Sequence, residues 1–107
     1  MTENLHPVSQ YIDIDKPDFE REVTISAEHA GSLSIIVKIW NPVKFENGGY
    51  VSAVSIDGLP MPRFSAMPGE DKLDALLNAV AFVGETLSRR GLVDAWAGKS
   101  LGGFPLP

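Results

Sequence analysis

Two histidines, His6 and His29, are the side chains whose ordinary pKa lies nearest neutral pH, so a general base or a zinc ligand would be sought there first. Neither stands at a metal-binding spacing from the other or from a carboxylate on a regular element. His29 falls in a turn and His6 in an irregular arm, and both read as solvated loop histidines. The chain has no cysteine, which removes disulfides, thiolate zinc sites and cysteine nucleophiles together. No Gly-x-Ser-x-Gly is present to raise a nucleophilic serine. A small hydrolase or metal enzyme would need a pocket that joins His29 to two carboxylates.

Other patterns give equally little chemistry. Gly98-Lys99-Ser100 resembles the end of a phosphate-binding loop. The full pattern needs a glycine where Val93 stands, and a helix where Leu101-Gly102-Gly103-Phe104-Pro105 follows. Asp13 and Asp15 could share a divalent cation, but two carboxylates on an arm with no further ligand pattern are more simply solvated charge. Glu70, Asp71 and Asp74 are explained by the start of a helix. Glu20 and Glu22 share a strand face with no proton partner. No catalytic, cofactor-binding or metal-binding residue is expected.

The elements behind these residues are easier to read. Leu73, Leu76, Leu77, Val80, Val83 and Leu87 recur at steps of three and four, the spacing of a helical stripe, with Ala75, Ala79 and Phe82 on its flank. Asp71 is the expected N-cap, Arg89 and Arg90 suit the C-terminal end of the helix dipole, and Gly91 supplies a left-handed stop. The spacing predicts one long helix over about 71–90. Gly84 breaks the pattern, costing roughly 1 kcal/mol against alanine. A backbone packed closely on it, from a strand, is the simplest reason.

Before the helix the period is two. Val23, Ile25 and Ala27 alternate with Glu22, Thr24 and Ser26, and Leu33, Ile35, Val37 and Ile39 alternate with Ser34, Ile36, Lys38 and Trp40. The intervening His29-Ala30-Gly31-Ser32 predicts an antiparallel hairpin. Tyr50–Asp57 is a third strand, with Tyr50, Val54 and Ile56 toward the core. Pro60 and Pro62 reduce Arg63–Met67 to a short edge strand at best. Residues 92–97 are a short strand or irregular, and 101–107 are a tail in which Phe104 and Leu106 pack back. The expected fold is α+β, an antiparallel sheet of three to four strands with the helix across one face. Residues 1–19 read as an arm, with a short strand possible around Tyr11–Ile14, and 20–107 as a single domain.

Size and charge narrow the function. The chain has 107 residues, 44% hydrophobic content and a net charge of −5. That suits one self-supporting domain and argues against nucleic-acid backbone binding. There is neither a signal-peptide pattern nor an apolar run of membrane-spanning length, so a cytoplasmic location and no membrane partner are expected. The acids Asp13, Asp15, Asp18, Glu20, Glu22 and Glu28, against Lys16 and Arg21, make residues 13–28 the most acidic stretch. If Leu33, Ile35, Val37 and Ile39 face the helix, Ile36 and Trp40 face away, joined by Val51 and Ala53. Either the arm (Tyr11, Ile12, Ile14) or the tail (Trp96, Phe104) covers them, or a partner does.

Two segments carry a resemblance: Gly69-x-Asp71-x-Leu73-x-Ala75-Leu76-x-x-Ala79, and Trp96-x-Gly98 leading to Gly102-Gly103-Phe104-Pro105. The chain resembles a family of small bacterial domains of unassigned function, in which these positions form a helix start, a core stripe and a tail. The likeness covers the last 40 or so residues best. It implies a fold and no catalytic residues. In size, acidity and absence of a catalytic constellation the chain is also similar, as a class, to bacterial immunity proteins.

The expected function is therefore non-enzymatic protein binding, in its narrowest form an immunity protein that occludes a basic toxin domain. The candidate contact residues are Asp13, Asp15, Asp18, Glu20, Glu22, Glu28, Ile36 and Trp40. A homodimeric scaffold or small-ligand carrier, formed through the sheet face or edge, is the alternative, and no cofactor is expected.

Overall fold

The computed structural model describes residues 7–27, 31–45, 48–94, 99–100 and 103–105. A 3-10 turn at Pro7–Gln10 opens it. The strands are β1 (Phe19–Ala27), β2 (Gly31–Ile39), β3 (Val43–Lys44), β4 (Tyr50–Asp57) and β5 (Ser65–Gly69). Helix α1 (Lys72–Arg89) follows, then a two-stranded ribbon of β6 (Val93–Asp94) and β7 (Lys99–Ser100). The architecture is α+β: an antiparallel five-stranded sheet with one helix packed against it.

The expected hairpin pairs Phe19 with Ile39 at one end and Ala27 with Gly31 at the other. β4 then pairs with β2 through Ile36↔Asp57 to Ile39↔Val54, and with β5 through Val54↔Ser65 to Tyr50↔Gly69. The strand beyond the expected number is β3. It pairs Val43 with Val51 on the side of β4 that β2 also occupies. β2 and β3 are thus one line of chain interrupted at Asn41-Pro42, where proline has no N–H to give a ladder. Across that interruption the Trp40 amide still donates to Ala53 O at 3.0 Å. Pro68 sits in β5, an edge strand, the place in a sheet where proline is tolerated. β1 is also an edge.

The helix ends are as the sequence predicts. The Asp74 amide donates to Asp71 Oδ1 at 2.8 Å, and the Glu70 amide donates to Asp74 Oδ2 at 2.9 Å. At the far end Gly91 has φ 74°, its amide donates to Ser88 O, and the Leu92 amide donates to Leu87 O. These two bonds satisfy carbonyls the helix leaves free.

The two faces of the sheet carry separate cores. On the helix side Val23, Ile35, Val37, Ile39, Val54 and Ile56 pack with Ala79, Val83, Leu87 and Phe104. On the opposite side Trp40, Ala53 and Phe64 pack with Val8, and Ile12, Ile14, Phe45, Val51 and Ala66 border them. The period-two reading assigned Val23, Ile35, Val37 and Ile39 to the helix face and Trp40, Val51 and Ala53 to the other, as found. The side chains of Ile25, Ala27 and Leu33, the turn residues 28–30, and Trp96 and Leu106 lie outside the described residues. Tyr50 is half-buried and belongs to neither core.

Two expectations are corrected. Residues 11–14 form bends and a turn in place of a strand, because Trp40 Nε1 donates to Asp13 O at 2.7 Å and draws the arm inward at its middle. The helix also turns a different face to the sheet. Ala75, Ala79, Val83 and Leu87 are buried, whereas Leu73 is 64% and Leu77 57% exposed. Small alanines let the helix axis approach the sheet, and the leucine-rich flank rotates outward.

Candidate functional site

A helix is about 10–12 Å across and strands lie about 4.8 Å apart, so one helix covers about two strands of a sheet. Helix α1 lies over β4 and β5. The same face of β1 and β2 is left to the C-terminal tail. Phe104 enters the core there, 8% exposed, and the Arg21 guanidinium lies 5.3 Å from the centre of its ring. The tail meets the helix at Gly84, where a Cβ atom would stand 1.8 Å from Pro105 O. The glycine interrupts the stripe because backbone does pack against it, and that backbone is the tail instead of a strand.

What helix and tail leave between them is a groove of about 500 Å³ along the start of β1. Val37 and Ile39 form its floor, Leu76 and Val80 one wall, and Phe104 and Pro105 another; Phe19 stands at the mouth, 49% exposed. Asp18, Glu20 and Arg21 rim it. Leu73, Leu77, Val80 and Gly84 follow one another by four, three and four residues, which places them on one flank of the helix. Among the described residues the tail's closest approach to this flank is at Gly84, and Leu73 and Leu77 stay exposed. Exposed Leu73 and Leu77 therefore continue the apolar surface beyond the groove.

On the opposite face a second, polar cavity of about 210 Å³ lies at the seam between arm and sheet. Lys38 Nζ pairs with Asp57 Oδ2 at 2.9 Å, and Ser55 Oγ donates to Asp57 Oδ1 at 2.7 Å. Burial pushes the Asp57 carboxyl up, but the Ser55 and Lys38 hydrogen bonds and the Lys38 and Arg63 charges outweigh it and hold it below the ordinary carboxylate range. Glu20 and Asp15 complete the rim. Lys38 and Asp57 are spent on each other, with Ser55 completing the pair, and the cavity reads as an ionic seam.

The expected contact residues fall into unlike places. Asp18 and Glu20 line the groove, and Glu22 is exposed two residues further along β1. Asp18 is also tied down, with Oδ2 accepting from the Asn41 amide at 2.6 Å. Asp13 Oδ1 accepts from the Asp15 amide at 3.1 Å, an Asx turn that accounts for this pair without a cation. Ile36 is half-buried opposite Asp57 and Glu22. Trp40 is 2% exposed, with Phe64 edge-on at 5.7 Å and the arm above it. Of the two covers the sequence allows for this face, the arm is the one that lies over Trp40. Glu28, His6 and His29 lie outside the described residues, as does Gly98. Among the described residues no group of three or more His, Asp or Glu side chains is placed to hold a metal ion.

The groove itself escaped sequence reasoning. Its walls come from β1, β2, the helix and the tail, and its only local signal was Leu73 and Leu77, surplus to a stripe that Ala75 and Ala79 already complete.

Fold and site together define a small α+β domain with a double-faced sheet and an apolar groove beside an open sheet edge. The chain belongs to the DUF6968 family, described as a domain of unknown function, which it matches over residues 19–107. The match begins at the first residue of β1 and leaves out the arm. No curated protein and no solved structure matches the chain. No helix among the described residues is long and apolar enough to cross a membrane.

Proposed function

We propose that this domain is a non-enzymatic protein-binding module that takes a basic partner at the groove beside β1. The observation that carries the reading is an apolar concavity, continued by exposed Phe19, Leu73 and Leu77, with Asp18 and Arg21 at its rim and the acids Glu20 and Glu22 on either side of Arg21 along the β1 edge. Apolar surface inside a charged border is the arrangement of a protein interface, in which the apolar part supplies affinity and the border supplies selectivity and encounter rate. The net charge of −5 adds long-range attraction for a cationic partner.

The narrower form of this reading is an immunity protein that neutralises a basic toxin domain in the cytoplasm by covering its active or substrate surface. Acidity, small size and the groove support it. Co-expression with the product of the adjacent gene tests it. Rescue of growth, lost on Leu77→Asp or on Glu20→Lys with Glu22→Lys, is the expected result; a harmless neighbour that forms no complex overturns it. The alternative, a homodimeric scaffold, predicts a dimer by light scattering that the same substitutions dissolve.

A further inference from the structure

We infer that the partner binds by adding an extended strand to β1, antiparallel or parallel, with alternate apolar side chains entering the groove and basic side chains meeting Glu20 and Glu22. This rests on the protein-binding reading above and specifies the partner's chemistry.

Among the described residues β1 and β5 are the longer edge strands, and they differ; β3, two residues long, pairs only with β4. β5 is short, contains Pro68 and lies under the helix. β1 runs over Phe19–Ala27 with β2 on one side and no strand on the other among the described residues. Each backbone N–H and C=O on that free side is a ready partner for another strand. Strand addition uses those groups for affinity and adjacent pockets for alternate side chains. Both parts are present here. The groove lies on the helix side of β1, the side that Val23 also faces. A strand laid along β1 therefore presents every second side chain toward the groove and the intervening ones to the opposite side.

Charge decides which strand fits. Glu20, Arg21 and Glu22 are consecutive, and Asp18 precedes them. Charged residues on an edge discourage pairing with a like strand. In a second copy paired around this segment, Glu20 and Glu22 of the two chains come together, and both copies carry a charge of −5. A segment alternating lysine or arginine with apolar residues meets no such penalty. It sets cations opposite Glu20 and Glu22 and apolar groups over Leu76, Val80 and Phe104. The edge is thus selective in place of closed.

The test uses the full chain and an acetylated, amidated nonapeptide that alternates lysine with isoleucine. Two further versions are N-methylated on alternate amides, one along each edge of the peptide, and a fourth has glutamate for lysine. Binding is followed by amide chemical shifts and hydrogen exchange up to millimolar peptide. Expected are saturable shifts in β1 and α1, slowed exchange of the β1 amides that do not bond β2, and loss of about tenfold or more in affinity for one methylated edge only. The glutamate peptide is expected not to bind. Equal affinity of the two methylated peptides overturns strand addition and leaves protein binding standing, which the co-expression rescue measures separately. Equal binding of the lysine and glutamate peptides overturns the charge argument, and no binding by any peptide overturns the inference.

Discussion

The two faces of this sheet are finished by different means. On one, a regular helix covers β4 and β5, the tail reaches over the rest, and a groove of about 500 Å³ remains. On the other, an irregular arm closes over Trp40 and Phe64, and the remaining cavity is a polar seam of about 210 Å³. A helix is rigid and straight and covers what its width allows. An arm without a repeat can follow the side chains beneath it, and here Trp40 Nε1 and the Asn41 amide each hold it by one hydrogen bond. The closed face is therefore a second core, and the partly covered one is where the surface can accept something else.

The contrast is most directly broken at Trp40. Trp40→Ala removes a wholly buried aromatic from the arm face and should cost about 3–5 kcal/mol in denaturant unfolding. A loss below about 1 kcal/mol would show that the arm face is not a core. Next in size is Gly84→Ala. Helix propensity alone favours alanine by about 1 kcal/mol, but a Cβ there meets Pro105 O at 1.8 Å. The expected result is net destabilisation of about 1–3 kcal/mol with faster exchange near Phe104, and stabilisation would mean that the tail leaves the helix freely.

Asp57 sharpens the comparison through pH. Its folded-state pKa is depressed, so its contribution is present above the ordinary carboxylate range and is lost as pH falls through the folded value. Asp57→Asn should therefore be less stable than the parent at neutral pH, and the difference should close on acidification. Because the pair is partly exposed, it should also shrink in high salt. A difference that does not vary with pH would place the cause in packing. The smallest effect on stability is expected on the open face. Leu77→Ser removes an exposed side chain and should change unfolding by no more than about 0.5 kcal/mol, while weakening partner or peptide binding. A large loss of stability would mean that Leu77 is core.

The parts of the fold legible in sequence were those set by local rules. Alternation placed Val23, Ile35, Val37 and Ile39 on one face and Trp40 on the other, because successive strand side chains point oppositely. Asp71 and Gly91 marked the helix ends because they answer unpaired backbone groups within one turn. The helix face was misread because Leu73 and Leu77 satisfy helical spacing as well as Ala75 and Ala79 do. Hydrophobicity favours the leucines, whereas close approach to the sheet favours the alanines. Of the site, Asp18, Glu20 and Glu22 were visible as acids, but nothing local tied them to Leu76, Val80 and Phe104.

The sequence by itself determined an α+β fold, its strand faces, its helix ends and its acidic start, since each depends on residues close along the chain. Only the tertiary structure decided which segment covers which face. The tail, and not the arm, reached the helix side, where Gly84 admits its backbone; the arm reached Trp40, whose indole nitrogen needs an acceptor when buried. The groove follows from a width that no residue encodes: one helix is narrower than the sheet it covers.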